Sequence, residues 1–286
     1  MPAHIMQFNS ISALLACIAE TREQGEWTRY QNHQGSLDSF HDLGSLSDAV
    51  GMAQTLHGLE EEITTIDTLA QTLSTQVPAP ASVSRVPSWG RSGQRVSMNR
   101  VMAGNLGHAW RTTARQARPQ HGRVLTLLVP CSFSAETSAS QIRYTCAASL
   151  AYAQLCAQAG YSLDVWACIG GRGMWADGTD CLTMVRLLSA GDTWQTQGVA
   201  LSAHAVFLRR VLFRVWEQTE PTRGNLAWGY GHVMAQAQLV PHVERWAALA
   251  GMETATLVYG AGQEHSLTTP AAAQRWLTTQ LSALAA

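Results

Sequence analysis

Lysine is missing altogether: all 19 basic side chains of this 286-residue chain are arginines. That absence excludes whole reaction classes. Without a Walker A lysine there is no P-loop nucleotide hydrolysis. Without a Schiff-base lysine there is neither pyridoxal-phosphate chemistry nor a lysine-dependent aldolase, and the strand lysine of a protein kinase is absent too. A GC-rich genome, which favours arginine codons, accounts for the bias without invoking function.

Long apolar runs are lacking as well. No stretch approaches the ~18 residues that cross a bilayer. Residues 1–24 put no basic segment ahead of their short amphipathic stretch, so no signal peptide is expected and a cytoplasm is the expected compartment. The cysteines, at 17, 131, 146, 156, 168 and 181, form no Cys-x-x-Cys and are expected as free thiols. The ten histidines form no His-Glu-x-x-His, and neither a metal nor a cofactor is expected. Hydrophobic residues still make up 46% of the chain and charged ones only 14%, which excludes disorder and allows a sizeable core.

Acidic residues are absent from one whole interval. Residues 68–135 hold none, against eight arginines: Arg85, Arg91, Arg95, Arg100, Arg111, Arg115, Arg118 and Arg123. Residues 1–67 show the opposite balance, ten acids and two arginines. Such asymmetry points either to a polyanion partner or to a dock between the two segments, with Glu60, Glu61, Glu62 and Asp67 as acceptors. Trp89 and Trp110 lie among the arginines, the composition of a nucleic-acid-binding segment.

The periodicity divides the chain into an acidic helical region, 1–75, a basic Pro/Gly/Ser-rich linker, 76–122, and an α/β domain, 123–286. Helices are expected over 10–24 and, broken at Gly58, over 45–75. In the last part, strands over 123–129, 162–168, 181–188 and 254–259 alternate with helices over 139–159, 196–217, 241–250 and 270–284. Pro241 and Pro270 are read as first helical residues. This order predicts a three-layer, Rossmann-like α/β fold around a mainly parallel sheet.

Ligands of such sheets sit at the carboxyl ends of the strands. Three segments fall there: Pro130-Cys131-Ser132-Phe133-Ser134, Gly170 to Trp175 with Asp177 and Asp180, and Gly260 to His265. Their candidates for a ligand or partner surface are Cys131, Ser132, Ser134, Arg172, Trp175, Asp177 and His265. None completes a catalytic motif. Thr137 stands where a Cys-x5-Arg phosphate loop needs arginine, PCSFS is no nucleophile elbow, and a strand rather than a helix follows the GGRG segment. Cys131 is therefore read as a buried structural thiol.

The segment LLVPCSFS, a strand running into Ser-x-Ser before a long buried helix, resembles the opening of von Willebrand factor A domains. In that family Asp-x-Ser-x-Ser holds Mg²⁺. Ser132 and Ser134 match the two serines, but Pro130 stands in the Asp slot, and a proline side chain offers a hard cation no oxygen. The resemblance thus implies an A-type fold without its metal. More widely, the chain is similar to a family of phage-encoded proteins with such a degenerate domain. SLSDAVGMAQTLHGLEEEI, RVSMNRVMAGNLGHAW, residues 123–168 and LSAHAVFLRRVLFRVWE carry that similarity, which implies a viral protein in the cytoplasm of an infected cell.

Three functions follow as expectations. The first is a non-enzymatic interaction or scaffold module with a protein partner. The alternative is nucleic-acid binding through residues 85–123. The third is a Mg²⁺-dependent or hydrolytic enzyme at the strand ends.

Overall fold

A computed structural model describes residues 4–23, 46–74, 81–90, 95–102, 109–119, 124–134, 137–172, 179–218, 234–251 and 257–285. The apolar run Val124–Pro130 forms the central strand β5, buried from its second residue onward. Alternate residues feed different cores. Leu125, Leu127 and Val129 join the larger apolar cluster, and Leu128 joins the smaller one across the sheet. Helix α5 (Ala139–Gln158) follows, and Ser138 Oγ caps it by accepting the Gln141 N–H at 3.2 Å. Gly160, at φ +96°, ends it. Its N–H reaches Ala157 C=O and that of Tyr161 reaches Cys156 C=O, both at 3.0 Å, so the last helical carbonyls are satisfied.

Strand β6 (Ser162–Gly171) lies parallel to β5, and β7 (Cys181–Leu188) turns back antiparallel to β6. The two edges are β1 (His4–Phe8), parallel to β7, and β8 (Leu257–Tyr259), parallel to β5. The order is β1-β7-β6-β5-β8. The chain is thus α/β, with one antiparallel pairing in an otherwise parallel sheet.

One face of this sheet is deeply covered. Alongside α5, the larger core takes in α1 (Ile11–Glu23), α2 (Leu46–Thr55), α3 (Glu60–Leu73), α6 (Thr196–Ala200), α7 (Phe213–Gln218) and α9 (Pro270–Ala285). The other face meets α8 (Gln236–Leu249), whose Leu239, Val243, Trp246 and Ala247 pack on Leu128, Trp166, Cys168, Leu182 and Met184. Each fully buried aliphatic or aromatic side chain here is worth about 1.5–3 kcal/mol.

The acidic segment is built into this body. Besides β1, it contributes the helices on either side of the expected break at Gly58, with Leu59, Ile66, Leu69 and Leu73 buried. Arg143 of α5 holds both Glu61 and Glu62, the latter at 2.8 Å and almost wholly buried. Asp67 accepts from Gln154 Nε2 at 3.0 Å and from Thr196 Oγ1 at 3.1 Å.

Several expectations need correction. The segment read as a linker holds a second, three-stranded sheet: β2 (Ala81–Gly90), β3 (Arg95–Val96) and β4 (Trp110–Pro119), ordered β2-β4-β3, with the short helix α4 (Met98–Met102) between the last two in sequence. Pro87 is tolerated because β2 is an edge strand. The helix expected over 196–217 breaks at His204, whose extended backbone and ring start a new segment. His204 Nδ1 accepts the Val206 N–H at 3.1 Å, and a π-helical turn, Phe207–Leu212, leads into α7. Pro241 lies inside α8 rather than at its start, because the chain turns helical at Gln236, where Ala235 is extended and its N–H meets Gln238 Oε1 at 3.3 Å. Strand β1 had no counterpart in the sequence reading.

Candidate functional site

The chain leaves β5 toward β6 on one side, while β8 pairs with β5 on the other. The carboxyl ends of β5 and β8 therefore flank the switch point where open α/β sheets place ligands. The loops 131–134 and 260–265 meet there. Gly260 makes the meeting possible: its N–H bonds Leu128 C=O at 2.7 Å, and any Cβ would stand 2.8 Å from that same oxygen. The next N–H, of Ala261, bonds Ser149 Oγ of α5 at 2.8 Å.

The predicted residues at this point are engaged within the fold. Cys131 is buried, its N–H extending the strand pairing to Cys168 C=O at 2.7 Å and its Sγ facing the carbonyls of Val129 and Ser202. The thiols of Cys146 and Cys168 face the carbonyls of Pro130 and Val129. Cys146 is held well above the ordinary thiol range by its bond with Cys131 and by burial, and Cys168 by burial first. These three cysteines are buried and free of disulfides, as expected. Ser132 Oγ accepts the Gly170 N–H at 2.8 Å and returns a bond to its carbonyl at 3.4 Å, tying β5 to β6.

Ser134 is bracketed by Gln263. Its N–H donates to Gln263 Oε1 at 2.7 Å, Gln263 Nε2 donates to its Oγ at 3.1 Å, and Thr137 Oγ1 lies 3.1 Å from that Oγ. One carboxamide thus bridges the two loops across the crevice. His265 turns away from it: Nδ1 lies 3.3 Å from Glu264 Oε1, with the Gly262 nitrogen and carbonyl oxygen at 3.0 and 3.3 Å from the same ring nitrogen. The carboxylate bond raises the imidazole above its ordinary range, against burial, and the same bond lowers Glu264. Arg172 is exposed just beyond β6, while Trp175 and Asp177 lie outside the described residues. Gln263 falls within the strand-end segment Gly260 to His265, but nothing in the spacing of that segment marks it as a bridge.

The arginines take on order from the small sheet. In the β2–β4 register Arg85 is directly opposite Arg115 and Trp89 opposite Arg111; in the β3–β4 register Arg95 is opposite Arg111. Directly opposed and alternate positions share a face. Positions Arg85, Arg95, Arg111, Arg115 and Trp89 therefore lie on one face, and Trp110 and Arg118 on the other. Arg100 is in α4, while Arg91 and Arg123 lie outside the described residues. Like charges directly opposite one another oppose strand pairing. The docking of neck on acidic head finds three of its four proposed acceptors, Glu61, Glu62 and Asp67, already held by Arg143, Gln154 and Thr196. No helix among the described residues is long and apolar enough to cross a membrane.

A family model described as a domain of unknown function (DUF7192) matches residues 2–256. No curated protein and no solved structure matches the chain.

Proposed function

Taking as premise that the chain belongs to the DUF7192 family of domains of unknown function, we propose that it binds single-stranded nucleic acid on the arginine face of its small sheet. The observation that carries this reading is the strand register, which gathers Arg85, Arg95, Arg111 and Arg115 with Trp89 on one face. Guanidinium forks pair with phosphate, and an indole stacks on an unpaired base in a sequence-tolerant way. Glu61, Glu62 and Asp67, which could compete for those arginines, are engaged by Arg143, Gln154 and Thr196 of the α/β body.

The test is an anisotropy titration of labelled single-stranded and duplex oligonucleotides at several salt concentrations. Single strands should bind with little sequence dependence and a log–log salt slope of about −0.7 per phosphate contacted. Replacing Arg85 and Arg115 together by Gln should flatten that slope by about one to two units. Arg118→Gln, on the opposite face, should leave it nearly unchanged. Binding that ignores salt, or an Arg118 variant as damaging as the pair, would refute the assignment.

A second reading is a von Willebrand factor A-like interaction module of phage origin. It is supported by Ser132-x-Ser134 at the carboxyl end of the central strand ahead of the buried helix α5, with Arg172 exposed beyond the neighbouring strand. A pull-down from infected cells separates the two readings: a protein partner survives nuclease treatment, and a nucleic-acid partner does not.

A further inference from the structure

A cavity of about 390 Å³ runs along the outer edge of β8, between that strand and the second half of α9. Tyr152, Gln236, Tyr259, His265, Trp276 and Gln280 supply its polar and aromatic lining. Its volume lies in the range of small-molecule sites, about 300–1,000 Å³, far above what one water needs.

Two lining residues carry unmet hydrogen-bonding capacity. Tyr259 Oη and Trp276 Nε1 are buried from solvent without a hydrogen-bond partner. Trp276 is itself only 9% exposed, and an indole N–H can do nothing but donate. Leaving such a group unpaired costs about 1–3 kcal/mol.

The lining also states what sort of acceptor fits. It includes no aspartate, glutamate or arginine among the described residues. His265 is its one basic group, and that ring is matched in place by Glu264 Oε1 at 3.3 Å. Among the described lining residues, no unmatched charge awaits a charged ligand. Gln236 and Gln280 each set an acceptor beside donors, the complement of a heterocycle edge that does the same. Flat surfaces are present as well, with Trp276 standing edge-on to His265 at 6.0 Å between ring centres.

We propose that this cavity binds a neutral planar heterocycle carrying an acceptor next to a donor, namely a nucleobase or its nucleoside. The acceptor takes the Trp276 Nε1–H, and the two carboxamides read the remaining edge. The site shares no residue with the arginine face and goes beyond the function proposed above.

The experiment is calorimetric titration of the full chain with adenosine, guanosine, cytidine and uridine, and with their 5′-monophosphates. At least one nucleoside should bind saturably and raise the melting temperature by mass action. Its monophosphate should bind no tighter, since the described lining holds no unmatched cation for the phosphate. Trp276→Phe keeps the ring but loses the donor and should weaken binding about tenfold. Gln280→Leu, on a half-exposed turn of α9 where folding is not at stake, should weaken it too. The Arg85→Gln/Arg115→Gln protein should bind nucleoside like the wild type, so failure of this proposal and failure of the oligonucleotide reading are told apart. No saturable binding by any of the nucleosides, or a folded Trp276→Phe protein with unchanged affinity, would overturn the proposal and leave an ordered water as the indole's partner.

Discussion

Replacing Arg143 by Met tests how the acidic helices are fastened to the sheet body. Glu62 is 2% exposed, and its carboxylate meets Arg143 Nε at 2.8 Å. Met keeps most of the arginine's apolar stem but removes the charge, leaving a buried carboxylate facing α5 alone. Stranding one partner of a buried pair costs about 3–5 kcal/mol. The lower end applies, because the Arg143 side chain is 25% exposed and water partly compensates. At about 2 °C per kcal/mol for a chain of this length, the melting temperature should fall by about 6 °C. Glu61→Gln should barely move it, since that side chain is 73% exposed and screened. The double variant Glu62→Met/Arg143→Met should regain most of the loss, because no charge is then left buried. The assay is a set of thermal melts of all four proteins at neutral pH and two salt concentrations. If Arg143→Met melts like the wild type, or the double variant melts below it, the buried carboxylate is not held as described.

Two other outcomes follow from the switch point and its neighbouring loop. Gly260→Ala should destabilise by at least about 2 kcal/mol, since a Cβ would meet the Leu128 carbonyl at 2.8 Å and only backbone movement relieves that contact; a denaturant titration measures it. The Glu264–His265 pair should stabilise most between pH 4.5 and 6.5, the ordinary values of its two groups. The raised His265 contributes fully below 6.5 and fades as pH rises through its folded value, whereas the lowered Glu264 contributes above 4.5 and fades as pH falls through its own. The melting difference between wild type and His265→Gln should therefore shrink toward alkaline pH. His204, lowered by burial, works the other way and is matched in both proteins.

Strand β5 and helix α5 were legible because both are apolar nearly throughout, and burial on all sides leaves that signature. The break between α2 and α3 and the end of α5 were legible through Gly58 and Gly160, which adopt positive φ. Strand β1 was not, because His4–Phe8 is a half-exposed edge whose partner, Cys181–Leu188, is remote in sequence. The small sheet was hidden for a related reason. Arginine, serine and threonine fill both faces of β2 and β4, so no period-two alternation rises above the linker composition. At the switch point the loops could be placed by topology alone. That a glutamine would close the crevice, and that an indole nitrogen would be left unpaired beside β8, depends on side-chain directions that spacing does not carry.

The far edge of the main sheet has a consequence for how the protein is made. Strand β1 and the helices α1–α3 are synthesised before the rest of the sheet, but among the described residues β1 pairs with β7 alone, and α3 rests on α5. Until Cys181–Leu188 has been synthesised, β1 has no neighbour, and the apolar residues of the acidic helices have no sheet to cover. Folding of the larger core must therefore wait for most of the chain, with long loops to close before distant contacts repay them. During that wait Leu14, Leu15, Ile18, Ile66 and Leu69, all buried in the finished protein, stand open to water and to one another. Residues 1–67 carry ten acids against two arginines, and like charges in such excess repel one another between neighbouring unfolded segments.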